Sequence, residues 1–145
     1  MPSGSATLTI TRALASSLST YLDFVQEILD KMERMGWDKS VLFGIHVALE
    51  ESISNAIRHG NGEDPQKQVH VECKIDARRF WASVCDEGNG YASDSVPDCR
   101  SPENLEAPGG RGLALIRAYM TRVELRKNGS CLIMEKRLDE PAASR

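Results

Sequence analysis

The chain has 145 residues, a net charge of −3, and ordinary apolar (41%) and charged (27%) fractions. These suit one domain over residues 1–145 with one real core, ordered from about residue 7 to 138. The acidic balance provides no footprint for direct nucleic-acid binding. No apolar run is long enough to span a bilayer, and no basic segment followed by an apolar one opens the chain, so neither a membrane anchor nor a secretory signal is expected. The four cysteines, Cys73, Cys85, Cys99 and Cys131, make no C-x-x-C pair. Three lie in strand-like runs and Cys99 in a polar loop, which reads as a cytoplasmic protein with reduced thiols.

In chain order, Thr7-Leu8-Thr9-Ile10-Thr11 alternates and is β-branched, as a short strand is. A helix is predicted from about Ala13 to Met35, with the stripe Leu14, Leu18, Tyr21, Val25, Ile28, Leu29 and Met32, stopped by Gly36. Asp38 is placed to cap a second helix that runs to a glycine stop at Gly60. A polar turn follows. Val69, Val71, Cys73 and Ile75 then alternate with polar residues as a half-buried strand, and Phe80 to Cys85 completes a hairpin with it. From Asp86 to Gly110 there is no periodicity, and a loop of this length is often a lid or binding loop. Leu113 to Met120 reads as helix. Val123 to Arg126 and Cys131 to Leu138 read as strands joined at Asn128-Gly129, a hairpin signal. Two long amphipathic helices need something flat to cover. The expected class is therefore α+β: a two-layer α/β sandwich, its mixed, mostly antiparallel sheet covered by helices on one face.

Three stretches could carry chemistry. On the second helix Leu42, Ile45, Leu49, Ile53 and Ala56 form an apolar stripe. Glu51 and Asn55, four residues apart, project together from its other side. Alone, such a pair is more often two solvated residues. Asp86-Glu87-Gly88-Asn89-Gly90 closes a strand. An aspartate there can accept from a ligand amino group, and the glycines let a flat ring approach the backbone, though D-x-G-x-G is also a common turn. Gly109-Gly110-Arg111-Gly112-Leu113 precedes a helix, where free N–H groups and the helix dipole suit an anion; a hinge is the plainer reading. It is neither a P-loop nor a dinucleotide fingerprint.

The order E-x-x-x-N, D-x-G-x-G, G-x-G-L resembles the GHKL ATPase superfamily, whose nucleotide-binding (Bergerat) fold has the same strand and helix sequence. The wording Glu51-Ser-Ile-Ser-Asn-Ala-Ile-Arg-His-Gly60 looks most like the anti-sigma factor serine/threonine kinases. The resemblance implies ATP and Mg²⁺ as cofactors. It gives Asn55 as the Mg²⁺ ligand, Glu51 as general base, and Asp86 on the adenine amino group. Gly88 and Gly90 would lie beside the ring, with Gly110, Arg111 and Gly112 on the phosphates. It also implies an antagonist protein as substrate, a sigma factor as sequestered partner, and a homodimer as the common state. One departure stands out. Kinases of this branch commonly carry an arginine just before the second glycine motif, where this chain has Ala107-Pro108. Arg111 or Arg100 could replace it, or the domain could act by binding alone. His59 reads as a helix-end residue, and Trp37 and Trp81 as packing residues. The ATP-binding half of a two-component sensor kinase fits less well, since a phosphoacceptor helix and membrane segment are missing.

Overall fold

The computed structural model describes residues 7–62, 64–88, 110–127 and 130–138. The elements are β1 (Leu8–Ala15), α1 (Leu18–Arg34), α2 (Lys39–Asn55), β2 (Gln68–Ile75), β3 (Arg79–Cys85), α3 (Gly110–Tyr119), β4 (Arg122–Arg126) and β5 (Cys131–Arg137). The strands form one sheet in the order β1-β2-β3-β5-β4, and every pairing among them is antiparallel. No helix among the described residues is long and apolar enough to cross a membrane.

The sheet buries one face. Val69, Val71, Cys73 and Ile75 of β2 and Phe80, Ala82 and Val84 of β3 are all at most 2% exposed and meet the helices. The α2 stripe of Leu42, Ile45, Leu49, Ile53 and Ala56 is buried as its helical period requires. Each fully buried isoleucine contributes about 1.5–3 kcal/mol. On the other face, Glu135 of β5 is buried among Arg79, Arg122 and Arg137. Trp37 is buried, and its indole N–H donates to the Asp76 carbonyl at 2.9 Å, so it packs the β2–β3 turn against the helices.

Four details depart from the sequence expectation. β1 continues to Ala15, four residues beyond Thr11, and the helix starts only at Leu18. Leu14 is thus a strand residue opposite Val69. The extension places Arg12 on the helix side, where it donates twice to the Glu27 carboxylate of α1, at 3.0 and 2.8 Å. A long-range pairing to β2 outweighs local helix propensity here. Second, the helical run stops at Gly60 as expected, but not in the way α1 ends at Gly36, with φ +97°: past Asn55, α2 widens into a π-helical turn, Ala56–Gly60. The turn closes with the Asn61 N–H on the Ala56 carbonyl at 2.8 Å. Such turns are rare and occur often at functional sites. Third, Cys85 and Cys131, directly opposite one another on β3 and β5, are joined by a disulfide, where four reduced thiols were expected. Fourth, no strand pairing is parallel among the described residues, so the sheet is less mixed than the expected type allows.

Candidate functional site

The C-terminal half of α2 is the axis of the site, and its position follows from glycines. Asp38 caps the helix start, accepting from the Ser40 N–H at 3.2 Å. α3 lies antiparallel against it. A Cβ on Gly44 would come within 2.7 Å of the Tyr119 ring, so this glycine is the notch that admits the end of α3. Seven residues further along α2, and seven back along α3, the chains meet again. There a Cβ on Gly112 would lie 2.8 Å from Glu51 Oε1 and 2.5 Å from Asn55 Nδ2. The backbone at the start of α3 therefore sits directly on the carboxylate and carboxamide predicted as a pair. Both side chains are half-buried rather than solvated.

At the far end of the same helix a second contact forms. Asp86 follows β3, and its carboxylate occupies the space a Gly60 side chain would need, with Oδ2 2.1 Å from the position of a Cβ. A Gly88 Cβ would fall 2.0 Å from the Gly60 carbonyl oxygen. Asp86 is fixed at both ends. Its N–H donates to the Ser130 carbonyl at 2.8 Å, and its Oδ1 accepts from the Gly88 N–H at 2.8 Å. This leaves Oδ2 as the acceptor for another donor. From Asn55 to Gly60 the helical run advances roughly 7 Å at the α-helical rise, so the two contacts follow one another along one helical run.

Burial pushes the Asp86 carboxyl above its ordinary range, against the Gly88 hydrogen bond and the charge of Lys67. A carboxyl raised on folding favours the fold below its unfolded pKa, and that contribution is lost as pH rises. At neutral pH the ionised Asp86 opposes folding. Asp86→Asn is therefore expected to raise the thermal midpoint at pH 7, with the gain disappearing below the ordinary aspartate range of about 4. Thermal melts at the two pH values check this.

One residue that sequence reading left in a polar turn holds the region together. Asn61 is 2% exposed. Its Nδ2 donates to Ser16 Oγ at 3.0 Å and to the Gln68 carbonyl at 2.9 Å, and its Oδ1 accepts from the Glu87 N–H at 2.7 Å. It thus ties the ends of β1, β2 and β3 to the π-helical turn. Asparagine just after a helix is too ordinary a pattern to reveal this. Asn61→Ala strands buried groups and should lower the unfolding free energy by about 2–3 kcal/mol in a denaturant titration.

Gly110 opens α3 and Arg111 follows it in the first turn. Gly90, Arg100, Ala107, Pro108, Cys99 and the Asn128-Gly129 turn lie outside the described residues. Among the described residues no cluster of three His, Cys, Asp or Glu could hold a metal. The carboxamide oxygen of Asn55, beside a backbone without a side chain, fits Mg²⁺, which takes few protein ligands and fills its shell with water and phosphate. His59 is exposed on the last turn of the helix, and Trp81 stands on the open face of the sheet beside Lys74.

Comparison with known proteins agrees with this architecture. The profile of the histidine kinase-like ATPase domain matches residues 11–136. An anti-sigma F factor of Heyndrickxia coagulans is 30% identical over 105 residues, covering 67% of this chain and 70% of that protein. The serine-protein kinase RsbW of Oceanobacillus iheyensis is 25% identical over 107 residues, 70% of this chain and 68% of its own. The protein of that name from Bacillus subtilis is 26% identical over 113 residues, 73% and 71%. With a profile match across most of its length, and motifs in the family order on the matching elements, the chain belongs to the histidine kinase-like ATPase domain family, in its anti-sigma factor kinase branch.

Proposed function

We propose that the protein binds Mg-ATP along α2 and transfers the terminal phosphoryl group to a serine or threonine of a small antagonist protein. The observation that carries this reading is the placement of Gly112 against Glu51 and Asn55, with the Asp86 carboxylate against Gly60 at the end of the same helical run. Asp86 Oδ2 accepts from the adenine amino group, and the bare backbone of Gly88, with Gly90 beyond it, admits the ring. The main-chain N–H groups of Gly110, Arg111 and Gly112 open α3 and face the phosphates. Asn55 holds Mg²⁺, which neutralises charge on the phosphates. Glu51 takes the proton from the attacking hydroxyl. Phosphoryl transfer asks mainly for positioning and charge neutralisation, which these groups supply.

The new phosphate adds negative charge at the interface with the antagonist and releases it. The freed kinase then holds a sigma factor or similar regulator, in keeping with the names of its relatives. Incubation with labelled ATP and the cognate antagonist tests the proposal: label moving to a hydroxyl of the antagonist supports it. Ala107-Pro108, where the branch commonly has an arginine, favours a second reading, a sequestering module without transfer. Bound nucleotide with no label transferred selects that reading.

A further inference from the structure

Cys85 and Cys131 form one rung of a row that crosses four strands on the open face of the sheet. His70 lies opposite Cys85, Cys85 opposite Cys131, and Cys131 opposite Arg126. The basic residues in register are themselves paired, His70 with Glu87 at 2.9 Å and Arg126 with Glu124 at 3.1 Å, so the case for the pair rests on the two sulfurs meeting across the rung. Cys85 is partly exposed and Cys131 only 5% exposed. Cys73 is different: on the helix face it is fully buried, and burial with the Glu72 charge pushes its thiol up to about 12. The rung also ends where the candidate site begins. Asp86 is the first residue after β3, and its N–H donates to Ser130, the residue just before Cys131.

We propose that Cys85 and Cys131 are a reversible thiol-modification site, and that closing the disulfide tightens nucleotide binding by holding Asp86 and Gly88 against Gly60. The coupling half rests on the nucleotide reading above. The oxidant is a low-molecular-weight disulfide. The Cys85 thiolate attacks it, forms a mixed disulfide and releases one small thiolate. The Cys131 thiolate then attacks the Cys85 sulfur and expels the second. Two protein thiols are oxidised, one small disulfide is reduced to two thiols, and the two protons end on those thiols or in solvent. With the rung closed, the end of β3 cannot fray from β5, and the carboxylate is held where a purine amino group would meet it. With the rung open, the hydrogen bonds of Asp86 to Ser130 and Gly88 remain, but no covalent tie holds the end of β3 to β5.

The test uses the full chain equilibrated in mixtures of reduced and oxidised glutathione. Peptide mapping under acid quench locates the crosslink, and calorimetry gives the Mg-ATP affinity in each state. The expected result is a Cys85–Cys131 crosslink and about fivefold tighter binding in the oxidised form, at the low end of site-to-site coupling. By reciprocity, saturating Mg-ATP shifts the thiol–disulfide equilibrium toward the disulfide by the same factor. The Cys85→Ser/Cys131→Ser variant should bind as the reduced protein does in every buffer. Thiols that stay free throughout, a crosslink to Cys99 or Cys73 instead, or equal affinity in the two states overturns the proposal. Absence of binding in both states overturns the nucleotide reading and the coupling with it, and the crosslink yield separates that failure from failure of the cysteine pair.

Discussion

Glu51→Gln is expected to lower phosphoryl transfer to the antagonist by about 10²–10⁴-fold, the range for loss of a positioned general base. Mg-ATP affinity should stay the same or tighten slightly, because a neutral amide replaces a carboxylate beside the triphosphate. The reason for expecting a loss in turnover alone is geometric. Glu51 projects from the C-terminal half of α2, a helix whose other side is locked by Ile45, Leu49 and Ile53. The substitution keeps the side chain's size and removes only its capacity to accept a proton. Single-turnover transfer with calorimetry in parallel separates the two effects. Equal loss of binding and transfer contradicts the assignment, since a base acts on the hydroxyl and not on the nucleotide.

A pair of glycine substitutions gives the second large effect, with opposite expectations for stability. At Gly112 the atoms in the way are the ends of the Glu51 and Asn55 side chains, which can rotate aside. Gly112→Ala should therefore change stability by less than about 1 kcal/mol, well within the usual range for tolerated replacements. Transfer should nevertheless fall about 10²-fold, the consequence of moving reacting groups by about 1 Å. At Gly88 the obstacle is the Gly60 carbonyl, main chain belonging to a helix turn already held by Asn61. Gly88→Ala must push β3 and α2 apart, so it should cost about 1–3 kcal/mol as overpacking does. Nucleotide binding should weaken as well, because the displaced main chain moves the N–H of residue 88 away from Asp86 Oδ1. Thermal melts and transfer assays on both variants read the contrast.

Much of this was legible in the sequence, for a physical reason. The α2 stripe shows because helical burial repeats along the chain, and β2 shows because one-sided burial alternates. Glu51, Asn55, Asp86 and Gly112 stood out through their order and resemblance to a known family, and the fold now brings Gly112 onto the first two. What spacing along the chain does not carry is which distant segments meet. The extra length of β1 depends on β2, the Cys85–Cys131 bond on β3 meeting β5, and the notch at Gly44 on Tyr119. The helical run stops at Gly60 as expected, but that its missing side chain also makes room for Asp86 depends on β3 reaching this helix end. Asn61 escaped because its three partners come from three different strand ends.

Calorimetric titration of Mg-ATP into wild type, Asn55→Ala and Asp86→Asn tests most directly that the two ends of α2 serve one ligand. One nucleotide per chain is predicted for wild type. Asn55→Ala and Asp86→Asn should each weaken that same binding event by about tenfold or more, the worth of one charge-assisted contact, even though the Asp86 variant melts higher. Wild-type affinity in either variant would mean that Asn55 and Asp86 do not hold the same molecule, and the account would fail.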